Sequence, residues 1–257
     1  TPSATTDSKG IVFPADARVI DVTQPPYNAK GDGVTDDTDA INRALRDYNN
    51  SNSEHLFMAW TIYLPAGTYL VSDSLEPADR NNPDLNQCGV RITGQGIDKT
   101  TIKLKDGAPG FDNPGEPRYV LRTGNSQKHG GHPNAGFGNY IENLTVDVGT
   151  NNPGAAGIRY DVANCGSLAH VRIVSSDPNY RGAYGLGFFK QCGLGYVKDL
   201  TVEGFDYGVY FDKMPVNNLA LEHLTLRHQR KSGIYNVGKN VQIRGVISQN
   251  SVPALIV

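Results

Sequence analysis

Two aspartates end closely similar segments of the chain, Gly157-Ile-Arg-Tyr-Asp161 and Gly208-Val-Tyr-Phe-Asp212. Each segment has the composition of a short β-strand that begins at a glycine turn. If the segments lie two stacked repeats apart, the two aspartate Cα atoms are about 9.6 Å apart, twice the ~4.8 Å strand spacing. Inverting glycosidases hold their acid and base carboxyl groups about 6.5–9.5 Å apart, with a water between them. Asp161 and Asp212 are therefore predicted to be catalytic, although any two outward acids at this spacing would fit.

Other side chains on the same face would suit a sugar. Strand alternation turns one row inward, namely Ile158, Leu186, Val209 and Ile234. The outward rows are then Arg159, Gly187, Tyr210 and Tyr235, followed by Asp161, Phe189, Asp212 and Val237. Aromatic rings stack on sugars, while arginine and carboxylates bind hydroxyl groups. The pattern predicts that Arg159, Phe189, Tyr210 and Tyr235 bind substrate; the alternative is a solvated face with scattered tyrosines.

No metal or other cofactor is expected. Asp36 and Asp37 precede an amphipathic segment, which indicates a helix cap rather than metal ligands. The pair in His129-Gly-Gly-His132 lacks further ligands nearby in the sequence. A further outward row, Thr145, Arg172, Thr201 and Thr225, indicates a structural threonine ladder.

Composition excludes several classes of protein. The 257 residues include 24 Lys+Arg and 26 Asp+Glu, so the net charge of -2 predicts neither nucleic-acid nor anionic-membrane binding. No run of about 18 apolar residues predicts a membrane span. The 29 glycines and 15 prolines show no three-residue period, which excludes collagen.

A repeat organises the second half of the chain. Five segments share an apolar-polar-apolar core: Asn143–Val146, His170–Ile173, Asp199–Val202, His223–Leu226 and Arg244–Ile247. A second series, which includes the two aspartate segments, runs in phase with the first. Since no two-residue hairpin turn joins the strands, each should pair in parallel with its own copy one repeat on. This predicts an all-β, right-handed parallel β-helix; leucine-rich repeats and propellers fit the spacing poorly.

The first half supplies the start of this solenoid. Residues 36–48 place apolar side chains at helical spacing and predict a helix that caps the first coil. We therefore predict an N-terminal tail at 1–17 and a β-helix at 18–257. The polar start resembles a mature N-terminus, which predicts secretion. The apolar residues 251–257 predict that a C-terminal β-helical half or a second chain packs there.

The three cysteines form neither a disulfide framework nor a metal motif. Cys165 and Cys192 occupy equivalent positions in two repeats, so a disulfide between them stays open. Two buried, stacked thiols are the favoured interpretation.

Three phrases carry a resemblance to a known family. They are Ala29-Lys-Gly-Asp-Gly-Val-Thr-Asp-Asp-Thr38, Tyr63-Leu-Pro-Ala-Gly-Thr-Tyr69 and Ile92-Thr-Gly-Gln-Gly96. Together they resemble the N-terminal signature of the pectate-lyase-like superfamily of right-handed parallel β-helices. Gly157–Ala163 and the following repeats are similar to the N-terminal half of family 55 glycoside hydrolases, which act on β-1,3-glucans.

The resemblance implies a β-glucan hydrolase, but this chain differs from that family in two respects. Members of that family are about twice this length, and their catalytic glutamate lies in a C-terminal half that this chain does not match. Where they place sugar- and water-binding glutamines, this chain has Asp161 and Asn164, so Asn164 joins the predicted binding residues.

Two other functions remain open. A pectate-lyase-type enzyme would act on uronate polymers by β-elimination, but a clear acidic cluster for Ca²⁺ and a basic groove are missing from the sequence. A non-catalytic solenoid, such as a tailspike-like or carbohydrate-binding module, would need no catalytic pair. The sequence favours a secreted, polysaccharide-active hydrolase.

Overall fold

The computed structural model describes residues 5–6, 12–13, 17–51, 60–77, 89–123, 137–189, 192–212, 216–238 and 240–257. These residues form a right-handed parallel β-helix, as predicted. Its strands and its helix are, in chain order, β1 (Thr5–Thr6), β2 (Val12–Phe13), β3 (Val19–Asp21), β4 (Asp32–Asp36), α1 (Thr38–Ser51), β5 (Thr61–Tyr63), β6 (Gly67–Val71), β7 (Arg91–Thr93), β8 (Thr100–Leu104), β9 (Arg118–Arg122), β10 (Phe137–Asp147), β11 (Ala155–Arg159), β12 (Ala163–Val174), β13 (Tyr184–Phe188), β14 (Cys192–Gly193), β15 (Tyr196–Glu203), β16 (Tyr207–Phe211), β17 (Val216–Asn217), β18 (Leu219–Arg227), β19 (Ser232–Tyr235), β20 (Val241–Gln249) and β21 (Leu255–Ile256).

Two parallel sheets make up the solenoid. The wide sheet has eleven strands, with the order β20-β18-β15-β12-β10-β7-β5-β3 and with β4, β6 and β8 alongside. The narrow sheet has the order β21-β19-β16-β13-β11-β9. In both sheets each strand pairs with its equivalent in the next coil, as the repeat spacing predicts. Two small sheets, antiparallel β1–β2 and parallel β14–β17, lie outside this scheme.

Each long strand of the wide sheet turns a corner at one residue. The corner residues have positive φ and form a column: Asn143, His170, Asp199, His223 and Gly245. Asparagine, aspartate, histidine and glycine are the types that most readily adopt this conformation. The Asp199 carboxylate lies 3.4 Å from His170 Nδ1 and 3.2 Å from His223 Nδ1. The two histidines therefore contact the corner aspartate between them.

Aliphatic side chains stack inside the solenoid. Ile158, Leu186, Val209 and Ile234 are in register on the narrow sheet and are at most 1% exposed. The same core contains a row from the wide sheet, Leu144, Val171, Leu200 and Leu224, which is also in register and buried. Each such side chain contributes about 1.5–3 kcal/mol through burial. The predicted inward row is thus confirmed.

A column of glycines brings the two sheets together. Its members are Gly157, Gly185, Gly208 and Gly233 on the narrow sheet. A Cβ atom on Gly185 would lie 2.3 Å from Val202 Cγ1 and 2.7 Å from the Gly208 carbonyl oxygen. A Cβ atom on Gly157 would meet Ile173 Cγ2 at 2.2 Å. Only glycine fits this column, because branched side chains of the wide sheet occupy the space beside it.

Helix α1 begins at Thr38, two residues later than predicted, and ends at Ser51. Its buried side chains, Ile41, Ala44 and Leu45, join the core. Asp36 accepts hydrogen bonds from the Thr38 amide and hydroxyl. Asp37 instead accepts the amides of Lys30 and Gly31, and burial raises its pKa. Asp36 therefore caps the helix as predicted, whereas the Asp37 carboxylate binds the loop before β4.

Apolar side chains are exposed on the last coil. Ile247, Leu255 and Val257 are 57%, 44% and 80% exposed. The packing of a further β-helical half or a second chain on this end stays a prediction, as do secretion and the boundary between tail and solenoid at residue 17. Within the described ranges, no helix has the length and apolar character of a membrane span.

Candidate functional site

The narrow sheet brings the predicted site residues into neighbouring coils. Its register places Arg159, Gly187, Tyr210 and Tyr235 in one row, in that order. The row continues to Arg122 on β9, the strand before Arg159. This is the outward row that strand alternation predicts.

Six aromatic rings form a continuous aromatic surface on the outside of this sheet. They are Tyr119, Tyr184, Phe189, Tyr207, Tyr210 and Tyr235. The rings of Tyr210 and Tyr235 are stacked, with centroids 5.1 Å apart and planes at 7°. Tyr184 contacts Tyr210 at 4.3 Å and Tyr207 at 5.8 Å. Neighbouring rings thus cover much of one another's faces. The prediction that these faces are free to stack on sugars is therefore met only in part.

The tyrosine hydroxyls of this surface are available to a ligand. Within the described ranges, no hydrogen bond engages the hydroxyl of Tyr184, Tyr207, Tyr210 or Tyr235. Burial, and then the neighbouring Tyr210 and Tyr207 phenols, raise the pKa of Tyr184 to about 12. Burial, followed by Asp212, also raises the pKa of Tyr210. At neutral pH the Tyr184 and Tyr210 phenols are therefore protonated and can donate hydrogen bonds to sugar oxygens.

Phe189 occupies the gap that Gly187 leaves in the row. A Cβ atom on Gly187 would lie 2.3 Å from Phe189 Cε2, so the ring covers the glycine. From there it contacts Tyr210 at 5.5 Å and Tyr119 at 5.3 Å. The Arg159 guanidinium lies 5.9 Å from the ring centroid. Phe189 therefore links the arginine to the tyrosines.

Asp161 is held firmly at one side of the surface. Its Oδ2 lies 3.1 Å from Arg159 Nε, and the two side chains are only 8% and 12% exposed. The Thr123 hydroxyl contacts its amide at 3.0 Å and its carbonyl at 3.2 Å, and the Asn139 amide donates to the same carbonyl. Arg159 and Asp161 thus form a nearly buried, oriented ion pair.

Asp212 has different surroundings. Its amide donates to the Phe188 carbonyl at 2.9 Å, and its side chain is half-buried. In the part of the chain that the structure describes, its carboxylate has no ion pair or hydrogen bond. Its charge raises the pKa of Tyr210 and Tyr184, behind burial, so it lies beside the aromatic surface. Within the described residues, Asp212 is thus an acid without a partner, next to tyrosine hydroxyls that also lack one.

Three ring residues were missed by the sequence reasoning: Tyr119, Tyr184 and Tyr207. Leu186 and Val209 point inward, so strict alternation predicts that the side chains two residues earlier, Tyr184 and Tyr207, also point inward. The glycine column interrupts this alternation, because the ladder register skips Gly185 and Gly208. The signal was the Tyr-Gly pair that occurs in both repeats.

Not every predicted residue joins the surface. Asn164 is exposed on β12 of the wide sheet with a φ of 61°, and no hydrogen bond connects it to the aromatic surface within the described residues. Cys165 beside it is a free, exposed thiol, so the predicted burial of that thiol is wrong. Cys88, His129, His132 and the side chain of Cys192 lie outside the described residues. Among the residues described, no group of three or more His, Cys, Asp or Glu could hold a metal ion.

Comparisons with known proteins define the family. The family model described as rhamnogalacturonase A/epimerase, pectate lyase-like matches residues 21–253. The non-secreted LysM effector LysM15 of Penicillium expansum is 32% identical over 79% of this chain. Alginate lyase 7 of Azotobacter vinelandii is 35% identical over 49% of it. A glucan 1,3-beta-glucosidase of Cochliobolus carbonum is 25% identical over 80% of it.

These relatives are much longer proteins. The chain spans 14%, 12% and 24% of their respective lengths. Among solved structures, ORF18 of Geobacillus virus E2 matches with a TM-score of 0.51 and 16% identity, over 89% of this chain and 48% of that one. That likeness shows the fold alone.

Proposed function

Because the chain belongs to the rhamnogalacturonase A/epimerase, pectate lyase-like family, we propose that it acts on a polysaccharide at the aromatic surface of its narrow sheet. The proposed activity is hydrolysis of a neutral β-glucan, with Asp161 and Asp212 as the two carboxyl groups. Arg159, Phe189, Tyr210 and Tyr235 bind the sugar. Asn164, on the other sheet, is left as a weaker candidate for contact with substrate.

The observation that carries this proposal is the unpartnered Asp212 carboxylate. The general acid must carry a proton before it donates one, and a permanent cationic partner would oppose that protonated state. Asp212 meets this condition among the described residues and lies beside phenols whose hydroxyls also lack protein partners. The alternative, a solvated face with scattered tyrosines, does not account for a cluster of tyrosines beside such an acid.

The ladder register supports the proposed spacing of the two aspartates. Asp161 follows β11, and Asp212 follows β16. In the narrow sheet β13 lies between these two strands and pairs with both. Two coil steps of ~4.8 Å give about 9.6 Å between the two aspartate Cα atoms. In an inverting mechanism Asp212 protonates the glycosidic oxygen as the bond breaks, and Asp161 accepts a proton from the attacking water. The ion pair with Arg159 orients Asp161 toward that water.

Local charge supports a neutral substrate. Of the acids that border the aromatic surface, Asp161 and Asp206 are ion-paired, whereas Asp212 has no ion pair within the described residues. The Asp212 charge raises the pKa of Tyr210, after the larger effect of burial, and would repel a polyuronate. The relative from Cochliobolus carbonum acts, by its name, on a 1,3-linked glucan. We therefore propose β-1,3-glucan as the first substrate to test.

A lyase or epimerase acting on uronates is the second candidate. The observation in its favour is the pair of adjacent arginines, Arg122 and Arg159, in one row beside Tyr119. Arginines bind carboxylates, and tyrosine can serve as a base in proton abstraction. Burial, however, raises the pKa of Tyr119 far above its ordinary value, which opposes such a role. The alginate lyase relative keeps this candidate open.

One assay separates these candidates. The protein is incubated with laminarin, polygalacturonate and alginate, and both reducing ends and ultraviolet absorbance are followed. New reducing ends from laminarin without absorbance are expected. Absorbance from an unsaturated uronate would reject hydrolysis in favour of a lyase. Retention on laminarin without any product would instead support a carbohydrate-binding solenoid.

Substitution of Gly187 by alanine tests the aromatic surface. The added methyl group must displace the Phe189 ring, because its position lies 2.3 Å from Phe189 Cε2. Only a side chain has to move, so we expect little change in thermal stability. Stacking of this ring is worth about 1 kcal/mol, so its displacement should weaken the affinity for laminarin roughly fivefold. Calorimetric titration measures this, and Phe189→Ala should give a similar loss. Wild-type affinity in both variants would contradict a binding role for Phe189.

A further inference from the structure

The aromatic surface has a second end, remote from Asp212. Asp206 immediately precedes β16 and Asp212 immediately follows it. Six residues of extended chain at about 3.3 Å each separate the two by roughly 20 Å. Tyr207 and Tyr210 lie between them on the same strand. A polymer bound near Asp212 could therefore extend over the rings to Asp206.

An ion pair lies against the ring at this end. Lys231 Nζ is 2.7 Å from Asp206 Oδ2 and 5.4 Å from the centroid of the Tyr207 ring. The Asp206 side chain is 15% exposed, whereas that of Lys231 is 55% exposed. Arg230 Nε lies 3.5 Å from the other oxygen, Asp206 Oδ1. The charged groups thus border the aromatic surface, with the ammonium on its solvent side.

Among the residues that the structure describes, two buried polar atoms at this end have no hydrogen-bond partner. They are Asp206 Oδ1 and Ser232 Oγ. Ser232 is the register partner of Tyr207 in the next coil, and its amide donates to the Asp206 carbonyl. Buried polar groups are nearly always hydrogen-bonded, because leaving one unpaired is costly. Ser232 Oγ and the Tyr207 hydroxyl have no hydrogen bond within the described residues, and Asp206 Oδ1 has only the 3.5 Å contact with Arg230 Nε. Together these atoms indicate a missing polar partner.

We propose that Asp206, Lys231 and Ser232 form a remote sugar subsite, which binds the hydroxyl groups of a glycan residue several units from the cleaved bond. The subsite rests on the proposed function of the aromatic surface. The Lys231 ammonium and the Ser232 hydroxyl donate to sugar oxygens, and Asp206 Oδ1 accepts from a sugar hydroxyl. The edge of Tyr207 supports the same sugar. Such a subsite binds only chains long enough to reach it from Asp212.

Chain length is therefore the test. Laminaribiose and laminarihexaose are titrated calorimetrically into protein that carries Asp212→Asn, so that the ligands stay intact. Adding Lys231→Met is expected to weaken laminarihexaose binding about tenfold, the effect of losing a charged hydrogen bond. Laminaribiose binding should stay unchanged. Lys198→Met, a lysine on β15 of the wide sheet, is the matched control and should change neither.

A second variant separates binding from folding. Ser232→Ala removes a buried hydroxyl that has no partner, so the melting temperature should stay the same or rise. Laminarihexaose affinity should nevertheless fall. Equal laminarihexaose affinity in the Lys231→Met, Ser232→Ala and parent proteins would overturn the subsite. If laminarihexaose binding is lost on Tyr210→Ala but not on Lys231→Met, the proposed glucan site stands and only the subsite fails. Absence of any glucan binding by the parent would overturn both.

Discussion

Replacing Asp212 with asparagine is expected to lower kcat on laminarin by about 10²–10⁴-fold, the contribution of one acid–base group. The amide is nearly isosteric but cannot exchange the proton. Since the Asp212 carboxylate has no ion pair or hydrogen bond in the described residues, the substitution leaves no charge unpaired. The melting temperature and the affinity for laminarin should therefore stay close to those of the unmodified protein. Initial rates of reducing-end release measure the effect.

The choice of Asp212 makes this test cleaner than the equivalent change at Asp161. Asp161→Asn would leave the nearly buried Arg159 without its counter-charge, so a loss of activity could reflect a damaged fold. Glu203→Gln, on the wide sheet, is a matched control and should keep full activity. Wild-type turnover by the Asp212→Asn protein would show that this carboxyl group is not catalytic.

Replacing Gly185 with alanine is expected to destabilise the protein by about 2–3 kcal/mol, the effect of forcing an extra carbon into a packed interior. Its Cβ atom would meet a carbonyl oxygen at 2.7 Å and Val202 Cγ1 at 2.3 Å. Neither atom belongs to the free end of a long, flexible side chain, so the two sheets must separate. For a chain of this size the melting temperature should fall by about 5–10 °C. Thermal unfolding followed by circular dichroism measures it.

Gly115 provides the control for this substitution. It is exposed, and a Cβ atom there would meet Asn113 Oδ1, an atom of an exposed side chain, at 3.2 Å. Gly115→Ala should change the melting temperature little. A similarly small effect at Gly185 would mean that the sheets are not held in contact by the glycine column.

The coils were predictable because their signals are local and recur. Apolar alternation around Leu144 and Leu200 returns in every repeat, so the parallel ladder and the inward rows could be assigned from the sequence. The corner residues, such as Asp199 and His223, stood at equivalent positions for the same reason. Their positive φ is a backbone property that the residue types favour but do not dictate.

The site was predictable only where it obeyed strict alternation. Tyr210 and Tyr235 did so. Tyr184 and Tyr207 did not, because the glycine that comes directly after each of them interrupts the alternation. That interruption depends on how closely the two sheets approach, which is a tertiary property. The ring of Phe189 folds back over Gly187, and the paired state of Asp161 differs from that of Asp212. Both facts require side-chain positions rather than spacing.

The glycine column and the ladder register also fix the distances between groups on different coils. Because coils stack at a single strand spacing, the separation of groups on different coils takes discrete values, set by how many coils intervene. One coil, that of β13, lies between the strands that precede Asp161 and Asp212. Loops between strands can vary in length and sequence without altering that interval. A relative that gained or lost a coil here would move its two carboxyl groups by a whole step of about 4.8 Å, so the distance available for a water between them changes in jumps rather than gradually.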